Sequence, residues 1–164
     1  MGDSDVYSLI APPSVIEGLL FGLGPFAIFP SSDPRFGSVN MGVGLGGAVS
    51  WQGHGVVFNL IVLHAFSFVD DETDYSQTQL LPTLSYVFDT GTSIVVQSET
   101  VYEWRADIWV VPLNVGVAQV VSPARLLRMS LGIQGKWWPV SPLAGPDWGV
   151  RVITTLLFPE LDAP

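Results

Sequence analysis

From about residue 38 to residue 158, large apolar residues recur at every second position, with small or polar residues between them. That is the period of a β-strand, whose successive side chains point to opposite faces, and not of a helix. The runs recur every 15 to 20 residues with turn chemistry between them. They predict eight strands, near 15–29, 38–52, 56–68, 76–88, 93–104, 109–120, 127–138 and 148–158.

Splitting the strands by parity gives two unlike faces. One carries Val39, Met41, Val43, Leu45 and Val49, then Phe58, Leu60, Val62, His64 and Phe66, and continues through Leu80, Leu84, Ile94, Val96, Leu113, Val115, Leu131, Ile133, Val150, Val152 and Leu156. It contains no Asp, Glu, Lys or Arg. The other carries Asn40, Gly42, Gly44, Gly46, Asn59, Gln77, Gln79, Gln97, Asn114, Gly116, Gly132 and Gln134, with Glu99, Glu103, Arg128, Lys136 and Arg151. Ile61, Leu63, Leu81, Val95, Val101 and Ile153 interrupt it, and the first strand is too apolar and glycine-rich to divide.

Two architectures share such a pattern. A soluble barrel turns the apolar face inward; a membrane barrel turns it outward. The polar face here is built of Gly, Ala, Ser, Asn and Gln, which fit a cramped interior, whereas a face in water usually carries many Lys and Glu. The large residues suit lipid better than a narrow lumen. In lipid, unpaired edge N–H and C=O groups are costly, so the sheet is expected to close. The expected fold is therefore all-β: an antiparallel up-and-down transmembrane β-barrel of about eight strands. It forms one domain over 1–164, with a lead-in at 1–14, the barrel at 15–159 and a tail at 160–164.

The links between strands agree. Residues 31–37, 69–75, 105–108 and 139–147 fall at one end and are longer on average than 53–55, 89–92 and 121–126 at the other, as external loops and periplasmic turns differ. Aromatic residues gather at both ends: Phe66, Phe68, Tyr102, Trp104, Trp109, Trp137, Trp138 and Trp148 beside the longer links, and Trp51, Tyr86, Phe88 and Phe158 beside the shorter. Trp and Tyr favour the headgroup layer.

Composition narrows the function. Charged residues are 13% of the chain, against about 25% in a typical soluble domain. The net charge of −9 and only six Lys and Arg argue against nucleic acid as a partner. With no cysteine, disulfides and thiolate metal sites are excluded. The charge-free run 37–69 is broken by glycines and by Trp51-Gln52-Gly53-His54-Gly55, read as a turn, so it is not taken as a transmembrane helix. Met1-Gly2-Asp3-Ser4-Asp5 lacks the basic start and apolar core of a signal peptide, so a mature, engineered or shortened chain is expected.

In order along the chain, Leu23-Gly24-Pro25-Phe26-Ala27-Ile28-Phe29-Pro30, Leu81-Pro82-Thr83-Leu84-Ser85-Tyr86, Glu99-Thr100-Val101-Tyr102-Glu103-Trp104, Val111-Pro112-Leu113-Asn114-Val115-Gly116-Val117, and Asp147-Trp148-Gly149-Val150-Arg151 through Leu157-Phe158-Pro159 stand out. This series resembles the bacterial outer-membrane barrel family of transporters of the meta-pathway of phenol degradation, some of which carry the misnomer neuromedin U. The resemblance spans about residues 19–159. It implies a bacterial outer-membrane location, membrane lipid and the outer-membrane assembly machinery as partners, and a pore or passive transporter for small, aromatic or hydrophobic molecules. The chain departs from the family in its shorter N-terminal part, at Leu81 where a Gln is usual, and at Gln119 where a Lys is usual.

The candidate site residues are the inward polar set Gln97, Glu99, Glu103, Asn114, Arg128, Gln134, Lys136 and Arg151, and the aromatic girdle Trp51, Phe88, Tyr102, Trp104, Trp109, Trp137, Trp148 and Phe158. Glu99 and Glu103 lie on one face, roughly 13 Å apart along the strand, too far for a glycosidase pair. The inward charges suit either a constriction that selects solutes or an internal salt-bridge network that fills a narrow barrel; the network is favoured, because eight strands leave little more than side-chain space. Asp70, Asp71, Glu72 and Asp74 make an acidic loop, read as solvated rather than Ca²⁺-binding because the EF-hand spacing is missing. His54 and His64 have no metal-ligand neighbour at a useful spacing, and neither a nucleophile elbow nor a phosphate loop is present. Neither cofactor nor enzymatic activity is expected. Three functions follow: the pore or carrier, a structural or designed membrane barrel with a plugged lumen, and a soluble lipocalin-like carrier.

Overall fold

The computed structural model describes residues 4–13, 16–30, 40–67, 74–124, 127–140 and 147–157. Its strands are β1 (Ser4–Tyr7), β2 (Leu19–Phe29), β3 (Gly42–Gly53), β4 (Val56–Phe66), β5 (Ser76–Val87), β6 (Thr92–Ser98), β7 (Thr100–Glu103), β8 (Ile108–Ala124), β9 (Leu127–Val140) and β10 (Trp148–Leu157). They form one ten-stranded antiparallel meander sheet in which β6 and β7 do not pair with each other but lie in line between β5 and β8.

The eight expected segments correspond to β2 through β10, with β6 and β7 sharing one. Two features correct the expectation. First, part of the lead-in is a strand: β1 pairs with the upper half of β2, Ser4 opposite Phe29 and Tyr7 opposite Phe26, and Ile10 bridges to Leu23. Second, the sheet has two edges. Among the described residues no ladder joins β10 to β1 or β2, so the fold stands as an antiparallel meander.

The division of faces is clear. Leu45 is 73% and Val152 75% exposed, and Leu113, Val115, Leu131 and Leu156 also point outward. Asn114, Gln134, Gln79, Asn40 and Ser67 are buried on the opposite side. This is the reverse of the lipocalin-like arrangement, in which the apolar set would converge.

The inner side is not uniformly polar. Phe26 and Ile28 of β2 pack with Leu63 and Ala65 of β4, with Ile61, Tyr75 and Leu81 against them. Three of the residues that interrupt the polar face in sequence are thus the ones that meet in the small core. Tight curvature brings β2 and β4 together across β3, and glycine permits it. A Cβ on Gly44 would lie 1.7 Å from the His64 carbonyl oxygen, and one on Gly116 2.5 Å from that of Ile133. Inward glycines let the neighbouring backbone fold over them, as sheet curvature requires.

Turn chemistry sets the register. His54 and Gly55 (φ 52° and 77°) join β3 to β4, the two-residue connection with positive φ at both positions that suits a twisted hairpin. The turn is shorter than the sequence suggests, since Trp51, Gln52 and Gly53 still belong to β3. Likewise β8 runs to Ala124 with a bulge after Val121, into the expected link 121–126.

Candidate functional site

β6, β8, β9 and β10 present one polar patch on the inner face. Register places Gln97 opposite Asn114 and Asn114 opposite Lys136, while Gln134 lies opposite both Gly116 and Arg151. Glu99 joins the two rows. Its Oε1 accepts from Arg151 Nη1 at 2.7 Å and its Oε2 from Nη2 at 3.2 Å, a bidentate pair. Lys136 Nζ donates to the same Oε2. The Lys136 ammonium also sits 5.0 Å from the centre of the Trp138 ring, within the range of cation–π attraction.

Glu99 has the inward parity and is the single residue between two strands that keep one register. β6 ends at Ser98 and β7 begins at Thr100. Continuing the registers on either side puts Leu81 and Pro112 opposite Glu99, with Pro82 next along β5. Proline has no N–H to give the ladder. At Pro112 the β8–β9 register also slips by a bulge, and the Pro112 carbonyl accepts from Ser98 Oγ at 2.6 Å.

Two positive side chains share one carboxylate, so the cluster carries an excess positive charge among described side chains. Beside it, Asn114 is 1% and Gln134 6% exposed. Both amide atoms of Asn114 and Oε1 of Gln134 find no hydrogen-bond partner among the described residues.

The remaining inward candidates fall elsewhere. Glu103 Oε1 accepts from the backbone N–H groups of Ser76 and Arg105, capping the loop end of β7. Arg128 lies opposite Leu157 in the ladder, and its side chain lies outside the described residues. Asp70, Asp71 and Glu72 lie outside them too. Asp74 accepts from Ser67 Oγ and stands 3.7 Å from Arg105 Nη2. Among the described residues no group of three His, Cys, Asp or Glu side chains could hold a metal.

The outward aromatic residues form two belts. At the loop end Tyr102 stacks on Trp109 at 4.4 Å and meets Trp104 edge-on at 4.8 Å. Trp104 Nε1 donates to Thr78 Oγ1, which lies 2.9 Å from His64 Nδ1. Trp137 lies opposite Trp148 in the ladder, both exposed. At the turn end Tyr86 meets Phe88 edge-on at 4.8 Å, with Trp51 and Phe58 exposed nearby. Phe158 and Phe68 are outside the described residues. Trp138 is not in the outward belt: it shares the parity of Lys136 and sits on it. Parity alone could have placed it. The inward bond from Gln79 Nε2 to Asp5 Oδ2 (2.9 Å) had no sequence signal, because β1 is only four residues long.

Comparison with models of protein families, with curated proteins and with solved structures gives no match.

Proposed function

We propose that the chain is a lipid-embedded β-barrel of the bacterial outer membrane whose interior is filled, so that it acts as a structural membrane element. The carrying observation is the outward set of large apolar side chains between two aromatic belts, with the amides and ions turned inward. Thr78, beneath the upper belt, and Tyr86, in the lower, lie eight residues apart on β5. That is about 27 Å along a strand at 3.4 Å per residue, or about 20 Å across a bilayer at a tilt near 40°, close to the roughly 25 Å apolar band of such barrels. Phe26, Ile28, Leu63 and Ala65 pack on the inner side of β2 and β4, and the Glu99 cluster lies on the inner side of β9 and β10, which supports a filled interior. The motif resemblance to outer-membrane transporters points to the same membrane.

Planar-bilayer recording tests this. Protein shown to be folded and inserted is expected to pass no discrete current. Stable single-channel steps would instead favour the second reading, a pore or passive carrier for small molecules. That reading draws on one observation: the Arg151 side chain remains 40% exposed, so solvent reaches the ionic cluster.

A further inference from the structure

The sheet's two edges carry an inference that rests on the lipid-embedded reading. The strands alternate in direction, and β6 and β7 share one line, so there are nine lines in all. β1 and β10 therefore run the same way, and closure between them would need a parallel ladder. They are also mismatched, four residues against ten. β2 and β10 run in opposite directions and match in length, eleven residues against ten. From β2 to β10 there are eight lines, an even number as in bacterial single-chain membrane barrels.

β1 stands in the way. It holds the edge of β2 from Leu23 to Phe29 by a four-residue ladder, a Ser8 N–H bond to the Pro25 carbonyl and the Ile10–Leu23 bridge, and its Asp5 accepts from Gln79 Nε2 of β5, a bond the exchange must also break. β1 is exposed along its length. Beyond Leu23, residues 20–22 have no β1 partner among those described, and the outer edge of β10 has no ladder there either. Water can satisfy these backbone groups; hydrocarbon cannot. A β2–β10 ladder would satisfy two edges at once, whereas β1 satisfies about half of one.

We infer that β1 is a placeholder strand: on entry into a bilayer, β10 displaces it from β2, closing an eight-line barrel and freeing residues 4–10. The interaction surface is the β2 edge, and its final partner is β10 of the same chain.

The chain has no cysteine, so introduced pairs report cleanly. Val6 and Ala27 are register partners across β1 and β2; Val6→Cys with Ala27→Cys marks the present pairing. Leu23→Cys combined in turn with Val150→Cys, Val152→Cys or Thr154→Cys marks the exchanged one. In phosphatidylcholine vesicles, one of these three pairs is expected to oxidise and the Val6/Ala27 pair to lose its crosslink. Locking Val6/Ala27 as a disulfide beforehand is expected to block insertion until it is reduced. Quenching of tryptophan emission by brominated lipid reads insertion separately. Quenching with Val6/Ala27 still crosslinked overturns the exchange alone. A covalent dimer of the single Val152→Cys variant also overturns it, assigning the β10 edge to a second copy. Absence of quenching overturns the exchange together with the lipid-embedded reading.

Discussion

Glu99 is the carboxylate that both Lys136 and Arg151 address. Removing one partner of a buried ion pair costs about 3–5 kcal/mol because a charge is left behind. Glu99 is one-third exposed and Arg151 two-fifths, so solvent screens part of this, and Glu99→Gln is expected to destabilise by about 1–2 kcal/mol. Lys136→Met should cost less, since the bidentate Arg151 contact stays. Urea unfolding of the vesicle-bound protein measures both. Gly44→Ala tests the inward glycines. Its Cβ would fall on the His64 carbonyl, so a loss of about 1–3 kcal/mol is expected. At outward Gly47 the nearest atom is the movable Leu23 Cδ2 at 3.0 Å, and the same change should be mild. Most of this scale is legible in sequence: parity places Gln97, Asn114, Gln134, Lys136 and Arg151 on one face. Which carboxylate they share is not. Glu99 and Glu103 have the same parity, and only the contacts of Glu99 with Lys136 and Arg151 and the loop-end bonds of Glu103 separate them.

The strands follow from alternation and turn chemistry, and the departures have local causes. The one-residue gap between β6 and β7 falls where register brings Pro112 opposite Glu99 and Pro82 opposite Ser98; the prolines are legible as residues, but their meeting across three strands depends on register. β1 is not legible in sequence, because four residues cannot display a period. The positive-φ pair His54–Gly55 fixes the register of β3 and β4. A Cβ at Gly55 would also lie 2.9 Å from the Val87 carbonyl oxygen. Gly55→Ala is therefore expected to destabilise the folded protein by about 1–2 kcal/mol in the same unfolding measurement. In sequence, Leu63, Ile61 and Leu81 interrupt the polar face. Where curvature brings β2 beside β4, Leu63 joins the core and Ile61 and Leu81 pack against it, and no local pattern announces that curvature except the inward glycines themselves.

At the scale of the whole molecule, the division into two faces is legible in sequence: parity separates the exposed apolar set from the buried amides. The expected closure has no counterpart among the ladders of the described residues, because it depends on which edges meet between residues more than a hundred apart in the chain. In a bilayer, Val115→Arg on the outward mid-strand face is expected to cost about 2–4 kcal/mol in unfolding from vesicles. The most direct test of the outward apolar face labels single cysteines with a nitroxide at Leu45, Val115 and Ile133, and at inward Gln134, in phosphatidylcholine vesicles. The account predicts that dissolved oxygen relaxes the three outward labels strongly while a water-soluble nickel chelate does not reach them, and that the Gln134 label is shielded from oxygen. Ready access of the nickel chelate to Leu45, Val115 and Ile133 would contradict it.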